Sequence, residues 1–375
     1  MDNKLPVTTT ASSLGVDHDL GNTCSKNAYA WAKKTFANRH NLAGEPVLKT
    51  DGGFANLLQF NGQKIGITSD GIGTKVELAE RTGIYHTLGF DLVAMVADDL
   101  AAAGLVPTNL SNILDVDRLN YNIVDALMQG LHDAANFCQI AVTGGEIAEL
   151  GNRIGGWGNN MHFNWCSTAI GILHPALLAP LDGSEITSGQ AVITLYSPGF
   201  RSNGFSAARR ILAQNYGSDD WHQAQFLPEQ KTWGEVLLTP CTIYTPLVTQ
   251  LLNDGVALSG VAHITGGGIA ENLARLLRLN QLGATLPTLF NPHQAMQQLV
   301  QWSKMPPAEA YRTWNMANGL LLISPTNQVN SILQQAQNMG YKAQLAGEVL
   351  PNTTQITMAT PYGQLTHDYA KVIGK

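Results

Sequence analysis

The sequence predicts a two-domain chain of mixed α/β (α+β) class, and three observations predict it. The chain has 375 residues, against a usual domain size of about 100 to 150. Strand-like and helix-like hydrophobic patterns alternate along most of it. Pro175, Pro180, Asp182 and Gly183 form the strongest break in composition near the middle, placing a boundary near residue 176. The expected division is an N-terminal extension over 1–50, a first domain over 51–175 and a second over 176–375.

Lys64 to Ser69 reads as a short strand that enters a Gly-rich loop, followed by a helix from Val76. Leu88 to Gly104 sets Leu92, Val93, Val96 and Leu100 at helical intervals, with Asp91, Asp98 and Asp99 on or beside the apolar face. Asn109 to Leu114 reads as a strand, Asn122 to Phe137 as a helix, and Ile140 to Thr143 as a buried strand running into Gly144 and Gly145. Thr168 to Leu173 is a further strand. In the second half, strands are expected at Ala191 to Tyr196, Val256 to Ile264, Leu320 to Ser324 and Ala343 to Val349. Helices are expected at Gly204 to Gln214, Ile243 to Leu252, Gln294 to Trp302 and Gln328 to Met339.

Composition narrows the function classes. Hydrophobic residues make up 44% and charged residues only 13%, so the chain can bury a large core and is not a disordered segment. The net charge is −6, from 22 basic and 28 acidic residues, with no dense Lys/Arg block. Nucleic acid is therefore not the expected partner. Met1 to Ser13 is polar and lacks an apolar core, so it reads as a tail rather than a secretory signal. Met161 to Pro180 is uncharged but carries His162, Asn164, His174 and two prolines, which argues against a membrane helix. Cys24, Cys138, Cys166 and Cys241 lie far apart without zinc spacing, as expected of free thiols in a reducing cytoplasm. No repeat period of about 20 to 50 residues is evident.

Five segments hold residue types suited to chemistry. In Thr68 to Lys75, Gly71 and Gly73 let the backbone approach a ligand, and Thr74 and Lys75 stand beside Asp70. This is neither a Walker A loop nor a dinucleotide fingerprint. Ala97 to Leu100 and Gly144 to Glu149 place Asp99 and Glu146 where apolar residues are expected. Buried carboxylates need a partner, and a Mg²⁺ site shared with nucleotide phosphates from Asp70, Asp99 and Glu146 would supply one. Each acid could equally cap a helix or pair with Lys75 or an Arg. Ser197 to Ser206 reads as a polar turn opening a helix, either an anion cradle or a turn capped by Ser202 or Asn203. His263 ends a strand before Gly266, Gly267 and Gly268, which lead into a helix N-terminus suited to phosphate. His263 has the residue type for proton transfer, although a lone strand-end His is more often structural.

Taken in order, Ser69 to Lys75, Gly89 to Leu100, Gly144 to Leu150, Pro198 to Ser206, His263 to Gly268 and Arg312 to Ala317 resemble the motifs of one family. It is the aminoimidazole ribonucleotide synthetase (phosphoribosylformylglycinamidine cyclo-ligase) family, with its wider superfamily. Gly15-Val16-Asp17, Gly21-Asn22 and Gly52-Gly53-Phe54 resemble its N-terminal segment. The resemblance implies a cytoplasmic homodimer whose N-terminal sheets pair into a shared barrel, each followed by an α/β C-terminal domain. It implies ATP-driven ring closure of formylglycinamidine ribonucleotide with Mg²⁺. On the matching positions it implies Asp70, Asp99 and Glu146 for metal, and Gly71, Gly73, Thr74, Lys75 and Asp99 for ATP. Asp70, Lys75 and His263 are the catalytic expectation. Arg201, Ser202, Asn203, Gly266, Gly267, Gly268, Arg312 and Asn315 are expected at the small-molecule substrate.

The chain departs from the family pattern at several positions. Ser111 to Asn120 lacks the acid expected at 112, the two tyrosines and a Gly-Lys pair. Arg201 stands where the pattern has His, Asp98 where it has Asn, and Ala317 where it has Gly. Two other readings stay open at this level: a superfamily paralogue that phosphorylates another small molecule, and a catalytically silent nucleotide-binding scaffold.

Overall fold

The computed structural model describes residues 18–47 and 53–373. Helix α1 (His18–Lys33) precedes a six-stranded sheet ordered β1-β2-β3-β6-β4-β5. Its strands are β1 (Glu45–Pro46), β2 (Asn56–Phe60), β3 (Gln63–Gly71), β4 (Leu105–Val116), β5 (Ala141–Glu149) and β6 (Phe163–Leu173). Helices α2 (Val76–Thr82) and α3 (Leu88–Ala102) lie between β3 and β4. Helix α4 (Tyr121–Cys138) is the crossover that makes β4 and β5 a parallel pair, the only one in this sheet among the described residues. Asn61 and Gly62, at φ 44 and 89, close the β2–β3 hairpin. Asn-Gly suits a turn that needs two positive φ values.

The second half builds a seven-stranded sheet ordered β10-β12-β7-β13-β11-β14-β15. Its strands are β7 (Ala191–Tyr196), β10 (Gly260–His263), β11 (Gly283–Leu286), β12 (Asn318–Ser324), β13 (Ala343–Leu350), β14 (Gln355–Thr360) and β15 (Gly363–Asp368). A separate pair, β8 (Gln225–Phe226) and β9 (Lys231–Thr232), stands beside it. The helices are α5 (Phe205–Tyr216), α6 (Trp233–Leu237), α7 (Thr245–Asn253), α8 (Gly268–Leu277), α9 (Gln294–Ser303), α10 (Pro307–Thr313), α11 (Val329–Asn338) and α12 (Tyr369–Ile373).

Helix α3 is the central element. It packs on β3, β4 and β6 of the first sheet and on β10 and α7 of the second half. Its apolar residues explain the first contact: Leu92, Val93, Val96 and Leu100 are fully buried. Its acids explain the second. Asp91 and Asp98, seven residues apart and so on one helix face, are both fully buried and reach loops near residue 240. Asp91 accepts from Lys75 Nζ at 2.7 Å and from the Cys241 amide at 3.0 Å. Asp98 accepts from the Tyr244 and Thr245 amides at 2.8 and 2.9 Å, capping α7 with a carboxylate. A second tie is Arg81 of α2, stacked between Trp157 and Trp221 at 4.8 and 4.9 Å.

Several expectations need correction. The strand expected to be buried at Ile140 to Thr143 is the exposed edge strand β5, and it continues through the glycines to Glu149. Val256 to Ile264 contributes only the four residues of β10. The segment expected as an N-terminal extension supplies β1 to the first sheet. Met161 to Pro180 contains β6, and no described helix is long and apolar enough to cross a membrane. Gly15, Val16, Asp17 and Gly52, like the tail at Met1 to Ser13, lie outside the described residues. The outer face of the first sheet is uncovered in the single chain, leaving Ile113, Ile170 and Ile172 exposed.

Lys75 and Asp91 are each 0% exposed, so removing one partner strands a buried charge. Lys75→Met is expected to cost about 3–5 kcal/mol in chemical unfolding, and Lys75→Met with Asp91→Leu to recover most of it. A single-variant loss below about 1 kcal/mol would contradict this role for the pair.

Candidate active site

The candidate site lies where the C-terminal end of β3 meets the turn after β7 and the loop before α8. Asp70 sits near the end of β3, with its Oδ1 accepting from the Gly71 amide at 2.7 Å. Gly71 to Thr74 then turn toward the second half, where Thr74 Oγ1 lies 3.4 Å from Ser206 Oγ. Asp99, one residue beyond the buried Asp98, is 17% exposed. Burial pushes the Asp99 carboxyl up to about 7. Burial, and after it the charge of Asp99, raises Asp70 to about 6. Arg275 and Arg201 oppose the rise at Asp99, yet burial keeps both carboxyls above the usual range, and a bound cation would favour their ionised forms.

The opposite wall is rich in donors. Gly267 and Gly268, at φ 90 and 66, open α8. A Cβ at Gly268 would strike the Tyr311 carbonyl, so only glycine fits there. Buried Asn272 donates its Nδ2 to the carbonyls of Gly266 and Gly268 at 3.2 and 2.8 Å, which holds the loop in shape. A Cβ at Gly266 would lie 3.7 Å from Asn203 Oδ1, and Asn203 Nδ2 is a buried donor with no partner. An unsatisfied donor beside a helix N-terminus is suited to an anionic oxygen.

Other predicted residues sit elsewhere. Lys75, expected at phosphate, is enclosed, and its ammonium is used by Asp91 and the Thr239 carbonyl at 2.8 Å. Arg201, expected at substrate, is 1% exposed and donates to Asp98 at 3.0 Å and the Thr242 carbonyl at 2.8 Å. Asn315 is buried, donating to the Gly199 carbonyl at 2.8 Å and accepting from the Ala317 amide at 2.8 Å. It fastens the turn rather than facing a ligand. Arg312 pairs with Glu271 at 2.7 Å beside the glycine loop. Ser202 stays at the site, its hydroxyl 3.7 Å from Cys241 Sγ, but neither it nor Asn203 caps α5, whose N-cap is Gly204.

His263 is fully buried, with Nδ1 at 2.8 Å from Asp99 Oδ1. Burial first, then the charge of Arg201, lowers it to about 3. It stands as an enclosed neighbour of Asp99. Glu146 is also displaced. Gly71, Cys166, Ile113 and Glu146 form one row across four strands, so Glu146 stands three strand spacings, about 14 Å, from Gly71. It shares the exposed outer face with Ile113. No group of three or more metal-binding side chains is found among the described residues. The two-carboxylate pair fits Mg²⁺, which takes one or two protein carboxylates and completes its shell with phosphates and water.

The sequence places Asp91 on the apolar face of its helix without assigning it a role, and it does not single out Asn272. The signal for Asp91 was present, since an acid on an apolar stripe must have a partner. Asn272 carried no such signal, because its role depends on the loop shape it holds.

Two family models cover most of the chain: AIR synthase related protein, N-terminal domain, over residues 52–172, and the C-terminal domain over residues 187–358. Phosphoribosylformylglycinamidine cyclo-ligase of Gloeothece citriformis is 34% identical over 343 residues, 90% of this chain and 96% of that protein. The cyclo-ligase of Thermococcus kodakarensis is 34% identical over 325 residues, 87% and 91% of the two chains. Among solved structures, the HypE–HypF complex matches with TM-score 0.58 at 15% identity, covering 84% of this chain and 92% of the other. Thiamine-monophosphate kinase of Stenotrophomonas maltophilia matches with TM-score 0.55 at 17% identity, covering 84% and 92%. These two structural likenesses establish a shared fold. With both domain models matched in order and relatives a third identical along nearly their whole length, the chain belongs to the AIR synthase family.

Proposed function

We propose that the chain is a Mg-ATP-dependent cyclo-ligase that converts formylglycinamidine ribonucleotide to aminoimidazole ribonucleotide, ADP and phosphate in purine biosynthesis. The observation that carries this reading is the pairing of two carboxyls raised by burial, Asp70 and Asp99, with the wall of Asn203 and Gly266 to Gly268. The curated relatives with this name support the substrate. In the reaction, ATP phosphorylates the formyl oxygen, the amidine nitrogen attacks the activated carbon, and phosphate leaves.

Such chemistry rests on positioning and charge neutralisation, not on a protein nucleophile. Asp70 and Asp99 would hold Mg²⁺, which neutralises the phosphate charge. The glycine-loop amides and Asn203 Nδ2 would hold phosphoryl oxygens, with Thr74 and Ser202 at the edge of the pocket. The exposed Ile113, Ile170 and Ile172 favour a homodimer formed through the first sheet. A cytoplasmic location follows from this pathway. At 112 the acid of the family pattern is the buried Asn112, which accepts from Trp165 Nε1 at 3.0 Å. That change favours, as a second reading, a relative that phosphorylates another acceptor.

Product analysis separates the two. Purified protein with Mg-ATP and formylglycinamidine ribonucleotide is expected to yield ADP and the ring-closed product in equal amounts. ADP or ATP binding without that product would support the other acceptor. Asp70→Asn and Asp99→Asn are each expected to lower kcat/KM by about 100-fold or more, the usual scale for losing an electrostatic group at the reacting centre.

The raised carboxyl pKa values also set a pH dependence. With folded values of about 6 and 7 against 3.8, the two groups favour the cation-free fold fully below about pH 4. That contribution is lost as pH rises through 6 to 7. Mg²⁺ requires the ionised forms, so its effect runs the other way. Mg²⁺ with a non-hydrolysable ATP analogue is expected to raise Tm more at pH 8 than at pH 5.5. Asp99→Asn is expected to raise the cation-free Tm at pH 8 and abolish the Mg²⁺ shift. Equal shifts at both pH values would contradict the assignment.

A further inference from the structure

Between α3 and the 201 turn, four buried or mostly buried groups form a chain that ends at the cation pocket. Arg201 sits in the left-handed region at φ 57, with its guanidinium enclosed. Its Nη1 donates to the Thr242 carbonyl at 2.8 Å, and its Nη2 donates to Asp98 Oδ2 at 3.0 Å and faces His263 Nε2 at 2.5 Å. A guanidinium has donors only, so the nitrogen facing it must offer a lone pair. The proton of a neutral imidazole is then left on Nδ1, which lies 2.8 Å from Asp99 Oδ1.

The two members furthest from the pocket are both departures from the pattern that the sequence resembles. Asp98 replaces Asn and Arg201 replaces His, and the structure sets the two side chains in contact, 0% and 1% exposed. Alone, either change would bury an uncompensated charge. Together they cancel, and they add a fixed donor behind His263.

We propose that Asp98 and Arg201 are a positioning pair that locks His263 in its Nδ1–H tautomer and thereby aims the Asp99 carboxylate into the pocket. The proposal rests on the reading of Asp99 as a cation ligand, and its first test is independent of that reading. Nitrogen-15 NMR of histidine-labelled, full-length, cation-free protein reads the tautomer directly, with the His263 signals assigned from their loss in His263→Gln. The expected signature is a single Nδ1–H tautomer in the native chain and a tautomer average in Arg201→Met. An Nε2–H tautomer in the native chain, or an unchanged signature in Arg201→Met, would overturn the proposal.

The second test is Mn²⁺ titration by electron paramagnetic resonance with a non-hydrolysable ATP analogue. Arg201→Met is expected to weaken Mn²⁺ about tenfold while the affinity for the analogue alone is unchanged. Should the stranded Asp98 prevent folding, Asp98→Asn with Arg201→Met removes both charges, and the same weakening is expected. Native Mn²⁺ affinity in a folded variant would overturn the relay. Native affinity in Asp99→Asn would overturn the reading of Asp99, with the tautomer still reporting on Arg201.

Discussion

The structure depends on carboxylates that α3 carries into the interior. A helix covering a sheet needs only one apolar stripe, yet α3 is enclosed on all sides and must satisfy Asp91 and Asp98 within the protein. It does so with groups far away in sequence: the Lys75 ammonium, the Cys241 amide, the Arg201 guanidinium and the amides that start α7. All but the Lys75 bond cross from the first sheet's layer to the second half. Because an unpaired buried charge is so costly, these bonds fix how the two halves meet, whatever their net contribution to stability.

That seam is also where the site forms. Asp99 is one residue further along the same helix, so the packing that buries Asp98 brings Asp99 to the rim beside Asp70. Gly266 to Gly268 arrive opposite because β10 packs on α3 and delivers the chain into α8 there. Acids on one side, with the unpaired Asn203 Nδ2 and the start of α8 on the other, can sandwich a metal–phosphate group between them. The arrangement needs no nucleophile.

Much of this was legible in the sequence. The core strands and the long helices follow hydrophobic period, and β7 falls on Ala191 to Tyr196 as expected. Asp70, Asp99 and the glycine loop stood out because acids and glycines at the ends of apolar elements ask for a partner. What failed to show was which partner each group takes. Lys75 looked like a phosphate ligand, since the distance from its motif to Asp91 in space cannot be read from a spacing of sixteen residues. Glu146 looked like a third ligand because a carboxylate stood where an apolar residue was expected, whereas pairing with β4 continues the strand and sets the acid on its exposed outer face. The β2–β3 hairpin had a local signal, Asn61-Gly62, that period alone did not expose. Short elements such as α10 and β11 are set by tertiary packing and have no strong pattern of their own.

On the proposed reading, Asp70 and Asp99, without Glu146 of the same chain, hold the cation that serves the nucleotide. The most direct measurement is a crystal structure with Mn²⁺ and a non-hydrolysable ATP analogue, with the metal located by anomalous scattering. The account predicts Mn²⁺ bonded to carboxylate oxygens of both Asp70 and Asp99, with the analogue's phosphates between it and the Gly266 to Gly268 loop. Mn²⁺ bound away from this pair, or a nucleotide whose phosphates turn toward Lys75 in an opened seam, would contradict it.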